Sequence, residues 1–388
     1  MTFASQETGV ILLKILLVGQ WFVSEDNGKI VIPGGTERYV YGLAKQLQND
    51  GYEVMVLSAT MDKGETGFNE LDGLNTYIFK APAKFYGYSI DILSFIYTLK
   101  FIRRFNPDVV HVIATRYRFA AGAIAAAKIM KVKAVYTRTT LPHSEGRRRL
   151  PVLLDDWFFT KIVRQSDSII ALSRVMKDVM EREIHPKLIE VIPSFIMRSY
   201  CSKAEKDNNR VLFVGRLDRL KGIEHLIKSL CYVRKEIPEV RLSIAGTGDL
   251  MQHLKQLVSR YGLEDNVTFE GHLGEDMLVD IYSRSEIFVF PSLREGMPMA
   301  LLEAMSAGLP VVAFDIEPNV EALGGGKYGV LVKAGDVKGL AREIVQLLKN
   351  EGQKAHYSKV SMERSKEYSQ ETIVRRIEEV YSDLFEVT

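Results

Sequence analysis

One run of the chain, Phe290-Pro-Ser-Leu-Arg-Glu295-Gly-Met-Pro-Met-Ala-Leu-Leu-Glu303, sets two carboxylates eight positions apart. An apolar strand is expected to end at Phe290, with Glu295 and Gly296 in a loop. Pro298 then stands where a first-turn proline is tolerated, and a helix is expected to run to Gly308. Measured along a helix, the spacing is roughly 80° of rotation and about 12 Å of rise, so the carboxylates share one side but stand well apart. Two carboxylates that attack one glycosidic bond stand closer, at most about 6.5–9.5 Å. The spacing suits an elongated ligand held at two ends by carboxylates that accept hydroxyl hydrogen bonds. The N–H groups of Gly296 and Met297 would lie between them, at a helix end that favours an anion. Taken alone, the same residues are equally a loop charge and a solvated helix glutamate.

A second cluster, Val214-Gly-Arg216-Leu-Asp-Arg-Leu-Lys221-Gly222, places cations after another strand. Arg216 offers bidentate contact and Lys221 a point charge, a combination that suits a diphosphate. A third, Pro33-Gly34-Gly35-Thr36-Glu37, opens a helix with paired glycines, which let backbone approach a ligand closely or simply make a turn.

The elements that position these residues alternate along the chain. Lys14–Val18 reads as a strand, and Thr36–Asp50 as an amphipathic helix with Tyr39, Val40, Leu43, Ala44 and Leu47 on one face. Gly51 stops that helix, and Tyr52–Ala59 follows as a strand. Further strands are expected at Asp108–Ala114, Ala134–Thr139, Ser168–Ser173, Val211–Val214, Val240–Ala245, Val267–Glu270, Ile287–Phe290 and Pro310–Phe314. Such alternation implies parallel sheets covered by helices on both faces. Ser194–Arg210 breaks the rhythm, and its polar part, 202–209, reads as a linker. The expected organisation is therefore a doubly wound α/β domain over 1–194, a linker over 195–209 and a second such domain over 210–367. Both would aim their strand-end loops at a central cleft. Tyr368–Phe385 has apolar residues at helical spacing and reads as a terminal helix.

Composition narrows the classes. The 388 residues carry 51 Lys+Arg against 49 Asp+Glu, a net charge of +2, which gives no general drive toward nucleic acid. With 46% hydrophobic and 26% charged residues the chain is globular rather than disordered. Cys201 and Cys231 make neither a disulfide framework nor a zinc site. The apolar run Val10–Val18 is interrupted by Lys14 and is shorter than the roughly 20 residues a bilayer requires. It also lacks the flanks of a signal peptide, so a cytoplasmic setting is expected and an extracellular sugar-binding protein is disfavoured. No Gly-x-Gly-x-x-Gly follows a strand, since Gly246-Thr-Gly248 continues to Met251, and Gly325-Gly-Lys327 is followed by Tyr328 rather than the Ser or Thr of a P-loop.

Together, Gly-Gly-x-Glu near the start, Val-Gly-Arg-Leu-x3-Lys-Gly, and Glu-x7-Glu after Phe-Pro-Ser resemble the retaining glycosyltransferases of family 4, over nearly the whole chain. Those enzymes have the GT-B fold, two Rossmann-like domains facing a cleft, with a C-terminal helix that crosses back to the first domain. The resemblance implies that 368–388 packs on the first domain and that a sugar moves, with retention, from a nucleotide-diphosphate sugar to a hydroxyl. UDP is favoured over GDP. It implies Arg216 and Lys221 as the pyrophosphate clamp, Glu303 on the ribose hydroxyls, and Glu295 on hydroxyls of the donor sugar. Gly296, Met297 and Met299 would add backbone contacts. His272 and Leu273 would lie near the nucleobase with Gly246 and Gly248 beside them, and Gly34 and Gly35 near the phosphates and acceptor. No cofactor or metal is expected, and the chain contains no Asp-x-Asp.

One departure stands out. Relatives carry a histidine in Thr-x-His after the strand expected at Ala134–Thr139, where this chain has Thr137-Arg138-Thr139. His143 is the nearest substitute, and His111 is either a family strand feature or a packed residue. On the acceptor side, Arg138, Arg147, Arg148 and Arg149 precede an apolar stretch reaching Phe159. They read either as contact with an anionic membrane or a lipid-linked or phosphate-bearing glycan, or as a solvated loop before a core helix. Two other functions stay open: a sugar-nucleotide-binding partner subunit with little turnover, and an epimerase on the same fold.

Overall fold

The computed structural model describes the chain apart from residues 1–12, 20–23, 27–28, 32–34, 61–65, 81–88, 116, 142–157, 199, 201–204 and 387–388. Gly34, His143, Arg147, Arg148 and Arg149 therefore lie outside the described residues. Two compact units are formed, one from Met1–Ile192 with Val374–Thr388, the other from Pro193–Ile373. No described helix is long and apolar enough to cross a membrane.

The first unit is built on β1 (Lys14–Gly19), which pairs in parallel with both β4 (Glu53–Thr60) and β7 (Val109–Ala114). A separate antiparallel pair, β2 (Ser24–Asp26) and β3 (Lys29–Val31), lies between β1 and the first helix in sequence. With β5 (Gly67–Leu71), β6 (Leu74–Lys80), β8 (Lys133–Arg138), β9 (Ser168–Ala171) and β10 (Ile189–Val191), the main sheet runs β10-β9-β8-β7-β1-β4-β6-β5. All its pairings are parallel except the hairpin β5–β6, which the alternation argument leaves out. That hairpin turns at Asp72-Gly73, both at positive φ (51° and 75°), as a two-residue turn between twisted strands demands. The Gly35–Asn49 helix buries the expected stripe, and Gly51, at φ 98°, ends it in a conformation that favours glycine.

Residues of the Gln370–Glu386 helix bury Val374, Ile377, Val380, Tyr381 and Leu384 in the first unit. The helix is pinned by Arg376 Nη2 donating to the Val191 carbonyl at 2.6 Å, and by Tyr381 Oη 2.6 Å from His111 Nδ1. His111 is fully buried on β7, bonds Thr137 Oγ1 through Nε2 at 2.7 Å, and has its pKa pushed down to about 3 by burial. It is a neutral packing residue of the strand.

The second unit's sheet is wholly parallel: β11 (Arg210–Val214), β12 (Arg241–Ala245), β13 (Val267–Gly271), β14 (Ile287–Phe290), β15 (Val311–Phe314) and β16 (Val330–Val332), in the order β13-β12-β11-β14-β15-β16. Alternate residues feed different cores. Val211, Phe213, Ile287 and Val289 pack on one face, and Leu212, Phe288 and Phe290 on the other. Covered on both faces, the central strands β14 and β15 are continuous apolar runs, which is why they stand out in the sequence, while edge strand β13 is half-buried and mixed.

Residues 195–209, read as a linker, are counted with this unit. Ile196 and Tyr200 are buried in its core, and Ile196 bridges to Ser369. Lys206 Nζ donates to the Ser285 carbonyl at 2.7 Å, and Asp207 holds Arg284 at 3.0 Å. The polar character of the stretch thus serves bonds to loop ends as well as to water.

Candidate functional site

In a sheet of this order the strand sequence reverses between β11 and β14, and the carboxyl ends of strands at such a reversal are where open α/β sheets bind ligands. Two loops leave the sheet there. After β11, Asp218 accepts from the amides of Leu220 (2.9 Å) and Lys221 (3.2 Å), which winds Arg219–Lys221 into one 3-10 turn. Gly222 follows at φ 63°, and a Cβ on it would stand 2.0 Å from the carbonyl oxygen of Pro291. Glycine alone fits both demands. The Leu293 amide closes the clasp by donating to the Leu220 carbonyl at 2.8 Å.

Backbone contact between the two loops lays Lys221 against Glu295, Nζ to Oε1 at 2.6 Å, with side chains only 19% and 9% exposed. Lys221 Nζ also lies 5.6 Å from the Phe290 ring centroid. An ammonium has three N–H donors and a carboxylate about four acceptor positions, so the pair leaves donors for phosphate oxygens and acceptors for hydroxyls. Beside it begins the Met299–Ser306 helix, with no side-chain cap at Pro298. The Met299 and Leu301 amides donate to the Met297 and Pro298 carbonyls at 3.1 and 3.0 Å, and the helix start adds partial positive charge at the same place.

Glu295 stands before that helix, not on it, so the rotation and rise computed for an uninterrupted helix do not apply to the two glutamates. Glu303 does lie on it, and is 6% exposed rather than solvated. Its carboxylate accepts from Tyr200 Oη at 3.1 Å and Tyr282 Oη at 3.0 Å. Arg216 is the opposite case, 78% exposed and reaching Asp218 at 3.1 Å. Gly296, Met297 and Met299 are half-buried around the helix start, and Leu273 is buried while His272 is exposed.

Gly246 and Gly248 have a packing reason. A Cβ on Gly246 would lie 2.0 Å from the Gly215 carbonyl oxygen, and one on Gly248 2.5 Å from that of Leu217. The loops after β11 and β12 are stitched by Leu217 N to Thr247 O at 2.9 Å, and Gly246 N reaches Gly271 O at 2.7 Å. Motif reasoning names Gly246 and Gly248, but it misses Asp218, Tyr200 and Tyr282. Asp218 carries a signal, an N-cap residue ahead of a short turn. The tyrosines carry none, because nothing local ties them to Glu303.

In the first unit, Thr36 Oγ1 donates to Thr139 Oγ1 at 3.0 Å, which brings the start of the Gly35–Asn49 helix to the end of β8. Gly35 is exposed there, and burial raises the Glu37 carboxyl above its usual range. Thr139 stands at the histidine position of Thr-x-His, and Arg138, the residue before it, is 4% exposed. Arg138 pairs with Glu183 at 2.9 Å, bonds Tyr117 Oη, and stacks its guanidinium over the Tyr117 ring. This corrects its assignment to a free basic loop: a buried, paired guanidinium is unavailable to an anionic surface.

Comparison with known proteins agrees with this geometry. The family model "Glycosyltransferase Family 4" matches residues 33–198 and "Glycosyl transferases group 1" matches residues 201–364. An uncharacterized glycosyltransferase of Haemophilus influenzae is 26% identical over 347 residues, 88% of this chain and 94% of that protein. An exopolysaccharide phosphotransferase of Streptomyces coelicolor is 26% identical over 304 residues, 76% of this chain but only 31% of the relative's length. Among solved structures, Anabaena HepE in complex with UDP matches at a TM-score of 0.76 and 19% identity, over 96% of this chain and 100% of that one.

Proposed function

The chain belongs to the group 1, family 4 glycosyltransferases and has their GT-B fold, and from that premise we propose that it moves a sugar from a UDP-sugar to a hydroxyl of a glycan or lipid-linked acceptor, with retention and without a metal. The observation that carries this reading is Lys221 held on Glu295 at the sheet's reversal point, beside an uncapped helix start. The UDP seen with Anabaena HepE supports the choice of base.

In this reading Lys221 gives its remaining N–H bonds to the diphosphate and Glu295 accepts from hydroxyls of the donor sugar. Arg216, exposed and loosely tied to Asp218, swings onto the phosphates. As the anomeric carbon's bond to the diphosphate oxygen breaks, charge builds on that oxygen and is met by Lys221, Arg216 and the helix N-terminus. The acceptor oxygen attacks on the same face, and its proton passes to the departing phosphate. Glu303 accepts from the ribose hydroxyls. His272 and Leu273 flank the base.

Thermal unfolding against UDP, GDP, ADP and their sugar conjugates tests the donor. A ligand at 100 times its dissociation constant adds about 2.7 kcal/mol. A shift with uridine nucleotides is expected, and the anomeric configuration of product by NMR then tests retention. No shift with any nucleotide would refute the proposal. Thr139, bonded to Thr36 at the position where the Thr-x-His pattern has a histidine, favours one second reading: a nucleotide-binding partner subunit that binds the donor without releasing its nucleotide.

A further inference from the structure

Glu303 is a carboxylate with 6% exposure, so its charge depends on partners inside the protein. Two of its partners are phenols from elsewhere in the second unit. Tyr200 comes from the stretch ahead of β11, and Tyr282 from the Glu275–Arg284 helix. Their rings meet edge to face, centroids 5.2 Å apart at 70°, and both are buried to 1% or less. Each hydroxyl lies within hydrogen-bond distance of a different oxygen of Glu303, at 3.1 and 3.0 Å, with the Ala300 carbonyl a second acceptor for Tyr282 at 3.2 Å, so the carboxylate is held at both ends. One acceptor position on each oxygen is enough for each phenol, and a carboxylate has about four.

We propose that Tyr200 and Tyr282 are positioning residues for nucleotide recognition, orienting the Glu303 carboxylate so that both its oxygens are presented to the vicinal hydroxyls of a ribose. This rests on the reading of Glu303 as the ribose acceptor. The phenols touch the glutamate and act through it. They set affinity for nucleotides that have both hydroxyls and are silent toward those that lack them.

The test uses the full chain with Tyr200→Phe, Tyr282→Phe and Glu303→Ala, titrated by calorimetry with UDP and with 2′,3′-dideoxy-UDP, and with the guanosine pair alongside. Phenylalanine keeps the ring packing, and near-UV circular dichroism checks that it does. Each Phe variant is expected to weaken UDP by about fivefold to tenfold, the net worth of one ordinary hydrogen bond, while dideoxy-UDP binding stays within about twofold. In turnover the donor KM should rise with kcat nearly unchanged. Equal losses on both nucleotides would overturn the proposal, because the tyrosines would then act only through the fold. Unchanged UDP affinity in both Phe variants, with loss in Glu303→Ala, would overturn it while leaving the ribose role intact. If Glu303→Ala itself binds UDP normally, the ribose reading fails and this inference with it.

Discussion

Replacing Lys221 by methionine separates what the Lys221–Glu295 pair does for the fold from what it does for chemistry. Breaking a buried ion pair by removing one partner costs about 3–5 kcal/mol, since the other charge is left unpaired. With side chains 19% and 9% exposed, solvent reaches part of this pair. Screening reduces the expected loss to about 2–3 kcal/mol. In a unit of this size that lowers the unfolding midpoint by roughly 4–12 °C. Turnover should fall further, by about 10²–10³ in kcat, the usual effect of losing one donor to charge that develops in the transition state. The double variant Lys221→Met, Glu295→Gln removes both charges and keeps the shape. Its midpoint should return to within a few degrees of the parent, with turnover still lost. Calorimetry and a nucleotide-release assay on the same preparations read both quantities. If the double variant recovered turnover along with stability, the pair would be structural only and the phosphate role of Lys221 would be wrong.

Gly222→Ala should lower stability by more than about 2 kcal/mol, since a left-handed residue costs 1–2 kcal/mol before the overlap with the Pro291 carbonyl is counted; a denaturation midpoint equal to the parent's would show that the clasp yields. Two groups in the first unit respond to pH in opposite directions. His111, depressed from 6.5 to about 3 by burial, contributes stability that is complete above 6.5 and drains as pH falls toward 3. Glu378, raised from 4.5 to about 7 by burial and then by the charge of Asp50, contributes stability that is complete below 4.5 and is lost as pH rises through 7. Midpoints measured from pH 4 to 8 should flatten on the acid side in His111→Gln and on the alkaline side in Glu378→Gln, and profiles parallel to the parent's would reject both assignments.

Most elements were legible because their causes are local. β1, β7, β8, β11 and β14 are largely buried, so each carries a mainly apolar, β-branched or aromatic stretch that identifies it even where His111 or Thr137 interrupts it. The Gly35–Asn49 and Gln370–Glu386 helices announce themselves by one apolar stripe and, for the first, by Gly51. The Asp72-Gly73 hairpin was equally legible, and strand–helix alternation passes over it because an antiparallel pair needs no helix between its strands. The motifs were local too: a glycine whose Cβ has no room, an aspartate that caps a turn, a strand-end lysine.

Strand order was what the chain by itself left open. Lys221 and Glu295 are 74 positions apart, and they meet only because β14 enters the sheet beside β11. Periodicity ranks residues by burial along one element and says nothing about which element lies next to it. For the same reason Glu303 looks in sequence like a solvated helix residue, and Tyr200 like the start of a linker. Tertiary packing puts two phenols on that carboxylate, and in doing so decides which of the two glutamates is a buried anchor and which shares its charge with a lysine. Residue types and local spacing therefore determined the elements and the class of chemistry, while the electrostatic partners of each charged group were decided by packing between distant segments.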